Sequence, residues 1–242
     1  VNSSTPEAET GVPAPRGRWE FNTAVAEKFD EHVRKSVPDY EAIQFTAAAL
    51  CDWFAPAGGT VMDFGCATGQ TLGMIAGTNA GKSLRLVGYD GSEAMITKAQ
   101  NMRAKGITWQ QGWLPGCLEI GRDQPINFAL FLYTLQFLTP EDRARTLKAA
   151  ADRLAPGGAL FVVEKVFGST PAFHDLTSQL YAEMKLTNGL TPDEVQAKAR
   201  SLRGVMHPLT VAENEAAFRA AGLTRHELIY RRLSFAGWIV TK

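Results

Sequence analysis

Long apolar runs are missing from this chain. The longest, around Phe128 to Leu132, is only a strand's length. That is far short of the roughly 18 residues that suggest a membrane-spanning helix, so no membrane partner is expected. Excess charge of either sign is missing too. The 25 Lys and Arg residues balance 25 Asp and Glu residues, without the basic footprint of a nucleic-acid binder, so no nucleic-acid partner is expected. Cysteine is scarce: Cys51, Cys66 and Cys117 are odd in number and have no metal-ligand spacing. They read as reduced, mostly buried thiols and not as a disulfide framework. His32, His174, His207 and His226 are scattered and make no metal pattern, so no metal is expected. The first residues carry Glu7 and Glu9 and lack an apolar signal-peptide core, which makes a cytoplasmic location the expectation. Neither an internal repeat nor a coiled-coil heptad is present.

What is there suits one domain of α/β size: 242 residues, 45% of them hydrophobic. Residues 1–18 are rich in Pro, Gly, Ser, Thr and Glu without periodicity, and a flexible arm is expected there. Residues 19–242 are expected to form a single domain. Val25, Phe29 and Val33 make an apolar stripe at helical spacing over Thr23–Lys35, and a second amphipathic helix runs from Tyr40 to Trp53. Strands and helices then alternate. Strands are expected at Thr60–Phe64, Leu84–Tyr89, Ile107–Gln111, Ile126–Tyr133 and Ala159–Val166, with helices at Gln70–Ala76, Glu93–Ala104 and Pro140–Leu154 between them. Thr139 before Pro140 has the form of a helix cap with proline in the first position. Regularity then breaks. Residues 169–203 read as two helices, Pro171–Leu186 and Pro192–Leu202, forming a cap insertion. A helix at Val211–Ala221 and two strands, Arg225–Leu233 and Phe235–Val240, complete the chain.

The chemistry gathers at strand ends. Thr60 to Phe64 leads into Gly65-Cys66-Ala67-Thr68-Gly69, a turn whose glycines allow close backbone approach to a ligand. The helix that follows presents free N–H groups. This is not the dinucleotide fingerprint G-x-G-x-x-G, and an ordinary β-α turn would carry the same residues. Asp63 ends the first strand, and Asp90, followed by Gly91, ends the second. An acid at the second position can accept both hydroxyls of a ribose, and together these residues suggest a nucleoside-containing ligand. Trp113 after the third strand can stack on a purine. Tyr133, Thr134, Gln136 and Phe137 follow the fourth strand, while Glu164 and Lys165 close the fifth. Buried polar groups there need partners, and either a polar ligand or internal hydrogen bonds would supply them. His174 lies in the cap. Arg34, Lys198, Arg200 and Arg203 can line an anionic site, although a solvated helix face explains the last three as well.

With these residues placed, the chain resembles a class I S-adenosylmethionine-dependent methyltransferase over roughly 21–242. Asp63-Phe64-Gly65-Cys66-Ala67-Thr68-Gly69 is similar to the loop that cradles the cofactor's methionine part. Asp90 matches the ribose-binding acid, and Gly112-Trp113 falls where adenine contacts lie. The resemblance implies a Rossmann-like, seven-stranded, mostly parallel sheet of order 3-2-1-4-5-7-6, which agrees with the strand count above. A closer similarity is to the carboxy-S-adenosylmethionine synthases, carried by Arg34-Lys35-Ser36-Val37-Pro38-Asp39-Tyr40, Thr134-Leu135-Gln136-Phe137-Leu138, Pro156-Gly157-Gly158-Ala159-Leu160 and Glu164-Lys165. That family converts S-adenosylmethionine and prephenate to the carboxylated nucleoside. Its members are dimers whose cap helices approach the partner's site, so a homodimer is implied.

Two departures separate this chain from that family. Trp113 stands where the family has an acid. Ala199 occupies the place of the arginine that would grip the extra carboxylate, and Arg200 is one residue later, about 100° around the helix. The expectation is therefore methyl transfer from S-adenosylmethionine to a small polar or anionic molecule. Asp63, Gly65, Cys66, Thr68, Gly69, Asp90, Gly91, Gly112, Trp113, Tyr133 and Gln136 would hold the cofactor. Arg34, Tyr40, Phe137, Lys165, Arg200 and Arg203 would hold the acceptor, and His174, Glu164 or Tyr133 would supply a base. Two alternatives stand beside this reading: a synthase binding carboxy-S-adenosylmethionine, and a non-catalytic nucleoside-binding dimer.

Overall fold

The computed structural model describes residues 20–102, 104–120 and 123–242. The arm expected over 1–18 lies outside them. Two helices come first: α1 (Thr23–Ser36), whose start is capped by the Asn22 side chain accepting the Val25 N–H, and α2 (Tyr40–Phe54). Pro38 sits between them, and Asp39 turns the chain with φ 54°. The alternating part follows as β1 (Thr60–Phe64), α3 (Gln70–Thr78), β2 (Arg85–Asp90), α4 (Glu93–Gln100), β3 (Ile107–Gln111), β4 (Ile126–Leu132), α5 (Pro140–Arg153) and β5 (Leu154–Phe167). The cap helices α6 (Pro171–Thr187) and α7 (Pro192–Ser201) lead to β6 (Leu209–Thr210), α8 (Val211–Ala220), β7 (Arg225–Arg232) and β8 (Phe235–Thr241).

The sheet runs β3-β2-β1-β4-β5-β8-β7. Strands β1 to β5 pair in parallel, and β8 lies antiparallel to both β5 and β7. This is the expected order, with the last two strands renumbered because the two-residue β6 pairs with the end of β5. Two element boundaries differ from expectation by more than two residues. β5 begins at Leu154, opposite Ile126, and then loops out through residues 155–158 before pairing resumes at Phe128 and Ala159. Gly157, at φ +76°, carries that bulge. α4 stops at Gln100 because Asn101 and Met102 switch to tighter bonds reaching back only three residues.

β4 shows why the parallel strands are apolar throughout. Phe128 and Leu130 face the layer of α2 and α3, packing with Ile43, Ala47, Leu72 and Ile75. Ala129 and Phe131 face the opposite layer, with Leu147 of α5 and Phe218 of α8. A strand covered on both faces has no polar side to alternate with. Each fully buried Phe or Leu contributes about 1.5–3 kcal/mol, so this central strand anchors the strand ends that carry the polar residues. All three cysteines are buried and free. Among the described residues, no helix is long and apolar enough to cross a membrane.

Candidate functional site

A cavity of about 1490 Å³ opens at the carboxyl ends of β1, β2 and β4, walled by α1, α6 and α7. Its floor is the turn after β1. Gly65 has φ +82°, and a Cβ there would lie 2.3 Å from Thr134 Oγ1. Thr134 in turn donates to the Phe64 carbonyl at 2.8 Å, which ties the ends of β1 and β4 together. The Gly65 and Cys66 N–H groups both donate to Tyr89 O. Asp90 ties that turn to its own: Oδ2 accepts the Ala67 N–H of the turn after β1 and Oδ1 the Ser92 N–H of the turn after β2, each at 2.9 Å. Burial raises the Asp90 carboxyl above its usual range, and those two N–H groups oppose the shift.

Asp63 lines the floor and is 2% exposed. Its Oδ1 has no hydrogen-bond partner among the described residues. Burial, assisted by the charge of Asp90, pushes it up to about 8. A carboxylate held this way lacks a cation. Trp113 is exposed and covers Gly91, where a Cβ would come within 2.5 Å of the indole ring.

Cys66, Gly112, Tyr133 and Gln136 also line the cavity, as do Tyr40, Phe137, Lys165, His174 and Arg203. Thr68 and Gly69 do not; they work from behind the turn. Thr68 Oγ1 bonds Asp30 of α1 at 2.5 Å, and Gly69 leaves room for Trp109, whose ring would be 2.5 Å from a Cβ. Arg34 pairs with Glu41 at 2.7 Å outside the cavity. On α7, Ala199 lines the space and Arg200 does not, as the rotation of the helix requires; Arg203, just after α7, lines it too.

The three candidate bases sit differently. Glu164 does not reach the cavity. Its Oε1 accepts the Leu135 N–H at 3.0 Å, and Arg143 donates to the Leu135 carbonyl at 2.9 Å, so the pair clamps the turn after β4 from behind. Burial pushes Glu164 up to about 8 against the pull of Arg143. Tyr133 has φ 61°, stacks on Tyr40 with centroids 5.9 Å apart, and meets the edge of Phe235 at 5.8 Å. Its hydroxyl is buried without a partner among the described residues, and burial raises it well above the usual phenol range. His174 accepts a weak bond from the Gly168 N–H on Nδ1 at 3.4 Å, which assigns its ring proton to Nε2.

The sequence reading passed over Tyr181, Lys185 and Asp30. Lys185 and Tyr181 are four residues apart on one helix, a spacing that places them on one face, but only the packing of α6 shows that this face looks inward.

A family model described as a methyltransferase domain matches residues 61–158. The carboxy-S-adenosyl-L-methionine synthase of Methylococcus capsulatus is 32% identical over 92% of this chain and 93% of that protein. That of Wolinella succinogenes is 32% identical over 93% of this chain and 94% of that protein. The fold is shared with human N-acetylserotonin methyltransferase in complex with S-adenosylmethionine, at TM-score 0.59 and 15% identity, covering 96% of this chain and 60% of that one. It is shared also with the plantazolicin methyltransferase, at TM-score 0.63 and 13% identity, covering 89% and 90%. The chain belongs to the class I S-adenosylmethionine-dependent methyltransferases, and its sequence family is that of the carboxy-S-adenosyl-L-methionine synthases.

Proposed function

We propose that the protein transfers a methyl group from S-adenosylmethionine to a small anionic molecule held beneath the α6–α7 cap. The observation that carries this reading is the orphaned Asp63 carboxylate at the floor of a cavity whose far end is lined by Lys165 and Arg203. The floor fits the cofactor. Asp63 Oδ1 has a place for the ammonium of its methionine part, the Gly65–Ala67 turn offers a cradle without Cβ atoms at Gly65, and Asp90 with Trp113 suits the nucleoside. When bound, S-adenosylmethionine supplies an electrophilic methyl group on a sulfonium.

The protein's own contribution is to hold and orient. Asp90 fixes the turn after β1 through the Ala67 N–H and its own turn after β2 through the Ser92 N–H. Glu164 and Arg143 fix the turn after β4, so Gln136 keeps its carbonyl oxygen Oε1 on the Lys165 N–H at 2.7 Å. Tyr133 serves as a hydroxyl donor, because its phenol stays neutral. His174, whose Nδ1 accepts the Gly168 N–H, presents Nε2–H and is likewise a donor. With Glu164 facing away, no strong base lines the cavity among the candidates, which favours an acceptor that arrives with its own lone pair or negative charge.

Ala199 supports transfer of a simple methyl group over synthesis of the carboxylated nucleoside, since it faces the cavity where an arginine would grip the added carboxylate. The synthase is the second reading, favoured by the nearly full-length similarity to the Methylococcus and Wolinella proteins. Calorimetry with S-adenosylmethionine tests both, and absence of binding would remove both. Mass spectrometry of the co-purified nucleoside separates them: a species about 44 mass units heavier than the ordinary cofactor supports the synthase.

A further inference from the structure

The α1 wall of the cavity is tied to the floor by a side chain that lines neither. Val25, Phe29 and Val33 of α1 line the space, but Asp30, between them, does not. Its carboxylate reaches the back of the turn after β1. Oδ1 accepts from the Thr68 hydroxyl at 2.5 Å and Oδ2 from the Gln70 side-chain amide at 3.5 Å, while Lys98 of α4 approaches Oδ2 at 3.8 Å. The same ammonium group donates to the Ala26 and Glu27 carbonyls of α1 at 2.5 and 3.0 Å. Thr68 is 2% exposed and does not reach the cavity.

Thr68 stands between two left-handed residues, Ala67 at φ 48° and Gly69 at φ +84°. For Ala67 that conformation is costly and persists only where the surroundings enforce it. Asp90 holds the cavity side of the turn through the Ala67 N–H, and Asp30 holds its back through Thr68. α3 begins with Gly69 as its N-cap and has no side-chain cap of its own. A carboxylate bonded to the residues on both sides of Gly69 supplies the negative charge this helix end favours, from another element. α1 meanwhile packs through a small cluster, Val25 and Ala26 against Met95, apart from the two clusters that sandwich the sheet. Polar ties therefore count for much of its placement. We propose that Asp30 is a positioning residue for the cofactor: it acts through Thr68 to set the turn after β1, and it joins that turn to α1 as one unit. Its effect on affinity rests on the proposed placing of S-adenosylmethionine over this floor; the link between α1 and the turn does not.

The test joins calorimetry with S-adenosylmethionine to amide hydrogen exchange of the cofactor-free protein. Asp30→Ala and Thr68→Val should each weaken the cofactor about tenfold, mainly through faster dissociation. The double variant should bind no more weakly than either single one, because both remove the same link. Thr68→Ser should keep near wild-type affinity. Asp30→Asn retains an acceptor oxygen for Thr68 but loses the charge facing Lys98, and should fall between wild type and Asp30→Ala. These two conservative variants keep the series decisive if Asp30→Ala does not fold. In the cofactor-free protein, Asp30→Ala should speed exchange several-fold in peptides from both α1 and the turn at 65–70. Thr68→Val should do the same to α1, although Asp30 lies 38 residues away in sequence; a residue that only stabilised its own helix would loosen α1 alone. Unchanged cofactor affinity in Asp30→Ala, losses that multiply in the double variant, or faster exchange confined to the substituted segment would overturn the proposal. If the wild-type protein does not bind S-adenosylmethionine, the placing of the cofactor fails, and the exchange measurement still decides whether Asp30 joins α1 to the turn.

Discussion

The floor of the cavity and its cap are built by opposite means. The floor uses short side chains and backbone at the ends of strands: Gly65 at positive φ, Asp63 and Asp90 one residue from their turns, N–H groups already aimed. The cap uses the tips of long side chains from separate elements, Lys165 from β5, Lys185 from α6 and Arg203 after α7. A floor of this kind is rigid because each polar group is tied to the sheet, and it suits a ligand common to many enzymes. A cap of this kind can exchange one cation for another without refolding, as Ala199 beside Lys185 and Lys165 illustrates. Specificity can therefore change at the cap while the cofactor site stays.

The comparison breaks most sharply at Asp90. Asp90→Ala removes two charge-assisted hydrogen bonds, one in each turn, each worth about 1.5–3 kcal/mol, and should weaken S-adenosylmethionine at least a hundredfold by calorimetry. Anion binding at the cap should persist; if it is lost equally, floor and cap are not separable. Gly65→Ala should cost about 1–2 kcal/mol for the left-handed backbone alone, with more from contact with Thr134. Thermal melting should show a drop that Gly65→Ala/Thr134→Gly recovers in part.

Asp63 sharpens the contrast through pH. Its folded value of about 8 stands above the ordinary 3.8. The folded state thus keeps a proton that the unfolded chain has released. The associated stability is complete below about pH 3.8 and is lost as pH rises toward 8. Melting temperature of the cofactor-free protein should fall across that window, with Glu164 contributing in the same direction from 4.5 to about 8. Asp63→Asn should flatten part of the slope, and protection by S-adenosylmethionine should be greater at pH 8 than at pH 5. An unchanged slope in Asp63→Asn would show that Asp63 is not the group that holds this proton.

Smaller effects follow at the rim. Trp113→Ala should weaken the cofactor by about tenfold, the lower part of the roughly 1–3 kcal/mol that stacking on a base is worth, with no change in melting because the ring is 74% exposed. Thr191→Ala opens the capping box of α7 at a cost of about 1 kcal/mol. It also frees Glu194 to face the cavity, so anion binding at the cap should fall a few-fold while cofactor affinity holds.

Much of the floor was legible because it depends on local rules. Apolar runs bounded by turn residues mark the strands, and acids and glycines at fixed offsets from the ends of β1 and β2 mark what lies over them. The helix caps at Thr139, Thr191 and Thr210 obey equally local chemistry. The two-residue β6 was not legible, since so short a strand exists only where β5 offers it a partner. Nor was the inward placing of Glu164: alternation alone makes it a strand-end acid, and the Leu135 N–H, from the turn after β4, supplies the partner that keeps it behind the turn.

Sequence alone thus determined the strands, the turn after β1 and the positions of Asp63 and Asp90, because backbone geometry and residue spacing within one β-α unit suffice to specify them, whereas the strand order came only with the family resemblance. Tertiary structure alone decided which side chains share the cavity: Thr68 and Gly69 behind its floor, Arg34 and Arg200 outside it, Ala199 and Arg203 within, and Lys165 and Lys185 at its cap end. The physical reason is reach. A long side chain's surroundings are set by the element packed opposite it, and a helix turns 100° per residue, so one position along α7 separates a cavity wall from solvent.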